Sequence, residues 1–375
     1  GIQTLHTKSV FNYIKSGCAE VYGSLGGFKR SYKSRVCRTI MFDFLRKHGY
    51  REKYTRPVLT GWEPWAIGAE DMVNPITHFD IDIVVAARKS YVKKVLSMVP
   101  KEKLKTIVHK YDQFTAINGA AGIAYVDKIN RNTSTGYPFY TSKKRFLYAI
   151  PPENDLFEPV AITDEIQERI DFIEERYKQG LCFNPVFVAS LKDEPVTFDK
   201  ASKCKTRIFG SAPMDWTIVV RKYLLSTIRL IQNYKLTFEM AVGTVAQSSE
   251  WGILYQYLTT FGEDTMIAGD FRKFDKKMSP VFIREAFEIL ISLCEESGNY
   301  DQEDLRAIRC IAADTAYPLM DFNNDLVKFF GSNPSGHSLT VIINSLVNSL
   351  YMRYVFVSLY SKQNNSTILV KFFWI

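Results

Sequence analysis

The chain has 375 residues, 46% hydrophobic and 23% charged, which excludes an intrinsically disordered or low-complexity protein and leaves room for a large core. Its 48 basic against 40 acidic residues give a net charge of +8, which favours a polyanionic partner without establishing one. Six cysteines without a C-x-x-C spacing and five scattered histidines exclude a zinc site and read as reduced thiols of a cytosolic protein.

The chain opens on Gly1 rather than methionine, so it is expected to be processed from, or cut out of, a longer product. It shows no signal-peptide pattern. No internal repeat or Pro/Gly/Ser linker divides it, which predicts one interlocked body. Between residues 29 and 56, Lys29, Arg30, Lys33, Arg35, Arg38, Arg46, Lys47, Arg51, Lys53 and Arg56 are interleaved with Tyr32, Tyr50 and Tyr54. That mixture suits either a nucleic-acid strand, with cations on phosphates and rings on bases, or a solvated charged face. Residues 82–108 and 162–178 read as helices. "NPVFVASLKDEP" and "KTRIFGSAP" read as a strand pair joined by a lysine-bearing loop. Strand alternation would put Lys203, Lys205 and Arg207 on one face. A helix is expected over 218–232.

"TMIAG" reads as a short strand ending at Asp270. Ser279 and Pro280 are a cap and first-turn residue for a helix that buries Phe282, Ile283, Ala286, Phe287, Ile289, Leu290 and Leu293, with Gly298 closing it. A hairpin is expected at Asn323 and Asn324. "GSNPSG" then leads into a long helix from about Ser338 to Tyr360. This most hydrophobic stretch is interrupted by Asn344, Asn348 and Arg353, so no membrane-spanning run is expected.

Three constellations carry chemistry. Asp270 and Asp275 serve one cleft only if the chain turns between them, since residues five apart on a strand face opposite ways. Asp270 would then ligate a divalent metal and Asp275 would accept from a sugar hydroxyl. Helix capping or surface acids explain most isolated pairs of this kind. Thr340, Asn344 and Asn348 recur every fourth residue on an apolar helix, a stripe that suggests work for the amides or a buried polar contact. Ser335 and Gly336 lie in the loop before it, where a glycine lets backbone approach a nucleic-acid strand. Lys192, Lys200, Lys203, Lys205 and Arg207 form a cationic strand pair suited to a triphosphate, or an edge strand guarded by lysines. No G-x4-G-K-[ST] loop occurs, so a P-loop site is excluded.

Taken in order, "TSTGYPF", "LKDEP" with "KASKCKTRIF", "GDFRKFD" and "GSNPSGHSLTVIINSLVNS" resemble the motifs of RNA-dependent RNA polymerases of picorna-like viruses, from about residue 29 onward. The resemblance implies an α+β right-hand fold with fingers and palm interleaved and the thumb absent. Its implied limits are fingers over 1–225, with a basic index-finger region at 25–60 and motifs at 133–139 and 192–207. Palm would follow over 226–310, a fingers insertion over 311–330, and a truncated second palm part over 331–375. It implies template contacts for Thr133, Ser134, Gly136, Tyr137, Pro138 and Gly336, and triphosphate contacts for Lys192, Lys205 and Arg207. Asp270 would be the catalytic metal ligand, with Mg²⁺ or a substituting Mn²⁺. Asp275, Ser335, Thr340 and Asn344 would read the ribose 2′-hydroxyl, the group that separates RNA from DNA. A reverse transcriptase is expected to carry a bulky residue where Asp275 stands.

The implied partners are template and primer RNA, NTPs and viral replication proteins, in the cytoplasm of a host cell. The family's Gly-Asp-Asp turn is missing, since the sequence contains no Asp-Asp pair. Little or no synthesis is therefore expected from this polypeptide alone. A non-catalytic single-stranded RNA-binding protein is the alternative, and a phosphohydrolase using Asp270 and Asp275 is a weaker one.

Overall fold

The computed structural model describes residues 1–375 except 16, 27–32, 77, 153–157 and 361–375. Lys29, Arg30, Tyr32 and the stretch after Tyr360 therefore lie outside the described residues. A five-stranded sheet forms from Ala19–Ser24 (β1), Val186–Leu191 (β2), Ile208–Ser211 (β3), Leu319–Phe322 (β4) and Asp325–Phe329 (β5). Its spatial order is β1-β5-β4-β2-β3. The expected strand pair is antiparallel, Leu191 opposite Ile208 and Val188 opposite Ser211. β2 runs parallel to β4, a pairing that needs a crossover, and helices supply it. Asn323 (φ 57°) and Asn324 (φ 71°) make the β4–β5 turn, where asparagine tolerates the left-handed backbone that a tight hairpin demands.

The helices of the described residues include Ile81–Met98 (α1), Lys101–Ile107 (α2), Asp164–Lys178 (α3), Met214–Asn233 (α4), Pro280–Ser297 (α5), Gln302–Ala316 (α6) and Thr340–Tyr360 (α7). The single helix expected over 82–108 is two, α1 and α2. Val99 is extended and Pro100 caps α2, because proline lacks the donor and forces its predecessor out of the helical region. α4 begins four residues before the expected start and buries residues around most of its circumference, Trp216, Ile218, Val219, Tyr223 and Leu224 among them. It is the central core helix. α5 starts where Ser279 accepts a hydrogen bond from the Val281 N–H and stops at left-handed Gly298. All seven of its expected inward residues are buried, each contributing about 1.5–3 kcal/mol if large. α5 packs on α1, α6 and α7. The domain limits expected at 225/226 and 310/311 fall within α4 and α6.

Two expectations fail for physical reasons. Residues 266–270 form no strand and are exposed, Ile267 at 99%, because no described strand lies alongside to supply a ladder. Lys203, Lys205 and Arg207 do not share a strand face: Phe198–Ser202 is a short helix, and Cys204 turns the chain at φ 50°.

A third expectation also changes. By length and composition, Thr340–Leu359 is long and apolar enough to cross a membrane, at mean hydropathy 1.2. Half of that window is buried inside the protein, however, and it packs on α1 and α5. It is a core helix.

Candidate active site

The end of β3 is the junction of the site. Ala212 donates to the Gly336 carbonyl at 3.2 Å, and Met214 donates to the Thr135 carbonyl at 2.8 Å. A Cβ on Gly336 would collide with the Gly210 carbonyl oxygen and lie 3.0 Å from Ser211 Cα. The glycine is therefore required by close approach to β3, and the expected use of that space for RNA backbone is not what the packing requires. A Cβ on Gly136 (φ 75°) would likewise lie only 3.0 Å from Pro213 Cα. These contacts bring the 133–138 segment and the 331–337 loop to one place. Thr133, Ser134 and Pro138 are exposed there, Tyr137 is half-buried and Gly136 is buried. The Thr133 hydroxyl accepts from Lys143 Nζ at 2.6 Å.

The cations assemble in part. The Lys192 N–H donates to the Arg207 carbonyl at 2.8 Å. Both side chains reach one carboxylate, Glu194, at 4.0 Å and 3.3 Å. Lys205 is exposed on the turn beyond, while Lys203 is engaged by Asp199 at 2.5 Å.

Sequence reasoning missed Lys276. Burial lowers its pKa, the charges of Asp275 and Asp71 oppose that, and Lys273 and Arg207 add to it. Arg207 and Asp275 thus share the electrostatic neighbourhood of Lys276. The 272–277 turn is tied down by ion pairs of Lys273 and Lys277 with Asp71.

Asp275 and Asn344 meet through Asn333, a residue the sequence did not single out. The Asn333 N–H donates to the Asp275 carbonyl at 2.8 Å, and its Nδ2 donates to Asn344 Oδ1 at 2.9 Å. Asn333 Oδ1 lies 2.8 Å from His337 Nε2. His337 is edge-on to Phe187 and Trp216, and burial pushes its pKa down to about 3. Thr340 does not present its hydroxyl to the cleft. It donates to the carbonyls of Pro334 at 2.9 Å and His337 at 3.0 Å, closing the loop onto α7. Ser335 is exposed.

Asp270 stands apart from these contacts, exposed on the unpaired segment. Hard carboxylate oxygens suit Mg²⁺. Among the described residues, however, no three His, Cys, Asp or Glu side chains stand close enough to hold an ion. The described residues do not make a complete metal centre.

A five-stranded sheet packed by long core helices, with the Asp275 turn tied through Asn333 to the loop that carries Ser335 and Gly336 and with Lys192 and Arg207 paired at the β2–β3 end, fits a right-hand nucleic-acid polymerase. The viral RNA-dependent RNA polymerase family matches residues 41–374, and the chain belongs to it. A Sicinivirus 3Dpol RNA-dependent RNA polymerase superposes with a TM-score of 0.71 at 17% identity, covering 90% of this chain and 67% of that one, which shows the shared fold. The replicase polyprotein of Drosophila C virus is 28% identical over 295 residues, 75% of this chain. The genome polyprotein of a human hepatitis A virus is 30% identical over 250 residues, 66% of this chain. The chain spans only 16% and 10% of those two polyproteins. Members of this family generally use divalent metal ions.

Proposed function

We propose that the chain carries the fingers, residues 1–225 and 311–330, and the palm, 226–310 and 331–375, of an enzyme that copies an RNA template from NTPs in the cytoplasm of a host cell. The observation that carries this reading is the convergence, through Asn333, of the Asp275 turn and Asn344, with Arg207 acting on the adjacent Lys276. Arg207, Lys192 and Lys205 take the triphosphate; the planar guanidinium grips its oxygens. Asp275 and Asn344 take the ribose. Thr133, Ser134, Tyr137 and Pro138, with Gly136 and Gly336 shaping the backbone, guide the template strand. Asp270 is one acidic ligand for Mg²⁺, for which Mn²⁺ can substitute. Any further acidic ligand comes from outside the described residues.

Periodate-oxidised ATP, which labels lysines, tests the nucleotide site on the chain itself. Mapping by mass spectrometry should place the label on Lys192, Lys205 or Lys276, with protection by excess ATP. Labelling scattered over surface lysines and indifferent to ATP would reject the site. The absence of a metal-binding cluster among the described residues favours a second reading, a non-catalytic single-stranded RNA-binding surface. That reading expects RNA binding with no nucleotide protection.

A further inference from the structure

The proposed ribose role of Asp275 and Asn344 leaves open which atom of the Asn344 amide faces the cleft. The hydrogen bonds around it decide the matter. His337 Nδ1 lies 3.2 Å from the Leu339 N–H. A backbone N–H can only donate, so Nδ1 is an acceptor and carries no proton. The ring is buried and burial disfavours its charged form, so with Nδ1 bare its one proton sits on Nε2. Nε2 must then donate to the Asn333 oxygen at 2.8 Å, which fixes that amide with its NH₂ toward Asn344. Asn333 Nδ2 donates at 2.9 Å, and Asn344 can meet it only with its oxygen. The Asn344 NH₂ group is left over, with no partner among the described residues. The Asp275 carboxylate likewise takes part in no hydrogen bond or ion pair there, although its own backbone is held by Asn333.

We infer that Leu339 N–H, His337, Asn333 and Asn344 form a polarised relay that sets the ribose specificity of the site, with His337 and Asn333 as its positioning residues. The relay leaves one pure donor, the Asn344 NH₂, on the helix and one pure acceptor, the Asp275 carboxylate, on the turn whose backbone Asn333 holds. A hydroxyl satisfies both at once, donating to Asp275 and accepting from Asn344. A 2′-deoxy carbon offers neither function and a 2′-methoxy group cannot donate, so each leaves a polar group unpaired. Asn333 serves both halves of the pair, its backbone N–H on the acidic turn and its side chain on the helix.

The inference rests on the ribose reading, and the experiment separates the two. Dissociation constants of ATP, dATP and 2′-O-methyl-ATP are measured with the 375-residue chain in Mg²⁺, for the parent protein, Asn333→Asp and Asn333→Leu. Asn333→Asp substitutes two acceptors for the donor and should turn the Asn344 oxygen outward; Asn333→Leu releases the amide. Both keep the backbone N–H that holds Asp275. The parent should prefer ATP, and both variants should lose about 10-fold of the ATP-over-dATP preference, the loss of one hydrogen bond to a well-placed group. ¹⁵N spectra of histidine-labelled protein should show His337 as the neutral Nε2–H tautomer, a readout that does not depend on nucleotide binding. Preference in the parent that survives in both variants overturns the relay and leaves the ribose reading standing. No preference in the parent overturns both. An Nδ1–H tautomer reverses the polarity and overturns the relay by itself.

Discussion

Gly336 shows how a single residue decides the shape of the site. Its missing side chain lets the 331–337 loop lie on the backbone of β3. Gly336→Ala should therefore cost about 2 kcal/mol or more, since strand backbone cannot move aside as a flexible side chain can. Gly252, in the helix Glu250–Leu258, has nothing within 4 Å of an added Cβ. Gly252→Ala should stabilise by about 0.5–1 kcal/mol. Urea unfolding of the two variants checks the pair, and equal effects would contradict the packing argument.

Asp314 offers a pH test at the same scale. Burial pushes its carboxyl up to about 6 from 3.8, against the opposing hydrogen bonds of Tyr177, Asn184 and Phe183. Between those two values the folded state holds more protons than the unfolded one, so stability should fall as pH rises from about 4 to 6. Asp314→Asn should flatten that part of the urea-midpoint profile, and an unchanged slope would count against the burial argument. Among residues, Asp275 and Asn344 could be singled out as candidates, Asp275 by its place in the connection before the Ser279 cap and Asn344 as an amide on an apolar helix. Asn333 and His337 could not, because an asparagine and a histidine in a Ser/Gly/Pro loop look like turn chemistry until the fold places β2 and α4 around them.

Elements whose signals are local were read best. α5 carries its own cap, a 3.6-residue apolar period and a closing glycine, and all three operate within 20 residues. The 82–108 helix was misjudged because the apolar period continues across Pro100 while the backbone does not. Residues 266–270 have the composition of a strand, but a strand exists only with a partner, and sequence does not say where the partner is.

One helix pairing carries a prediction of its own. Glu239 is fully buried and is held by Lys94 of α1 at 2.6 Å and by both terminal nitrogens of Arg353 of α7. Removing its charge leaves Arg353 buried against the Tyr91 ring. Glu239→Gln should cost about 3–5 kcal/mol. A loss below about 1 kcal/mol in a denaturant titration would show that the ion pairs are not coupled to the α1–α7 packing.

For the whole molecule, the net charge of +8 turned out to matter through its placement. Several cations are spent internally, as Lys203 is on Asp199 and Lys273 on Asp71. Lys205 and Arg207 stay exposed just before β3. Single-stranded RNA should bind more weakly as salt rises, and Arg207→Ala should reduce the slope of log K against log salt by about 1. An unchanged slope would place Arg207 outside the RNA and phosphate path.

The fold class was legible because four motifs occur in a fixed order. The relative placement of Asp270 was not, because it depends on the pairing of an isolated segment. The most direct test is Mg²⁺-dependent primer extension on an RNA template, using the chain together with any coding sequence that its RNA carries beyond residue 375, as parent and as Asp270→Ala. The proposed role predicts extension with NTPs by the parent and loss of about 100-fold or more in the variant. Extension by Asp270→Ala at the parent's rate would contradict the role of Asp270. No extension by the parent, with RNA still bound, would move the non-catalytic reading ahead.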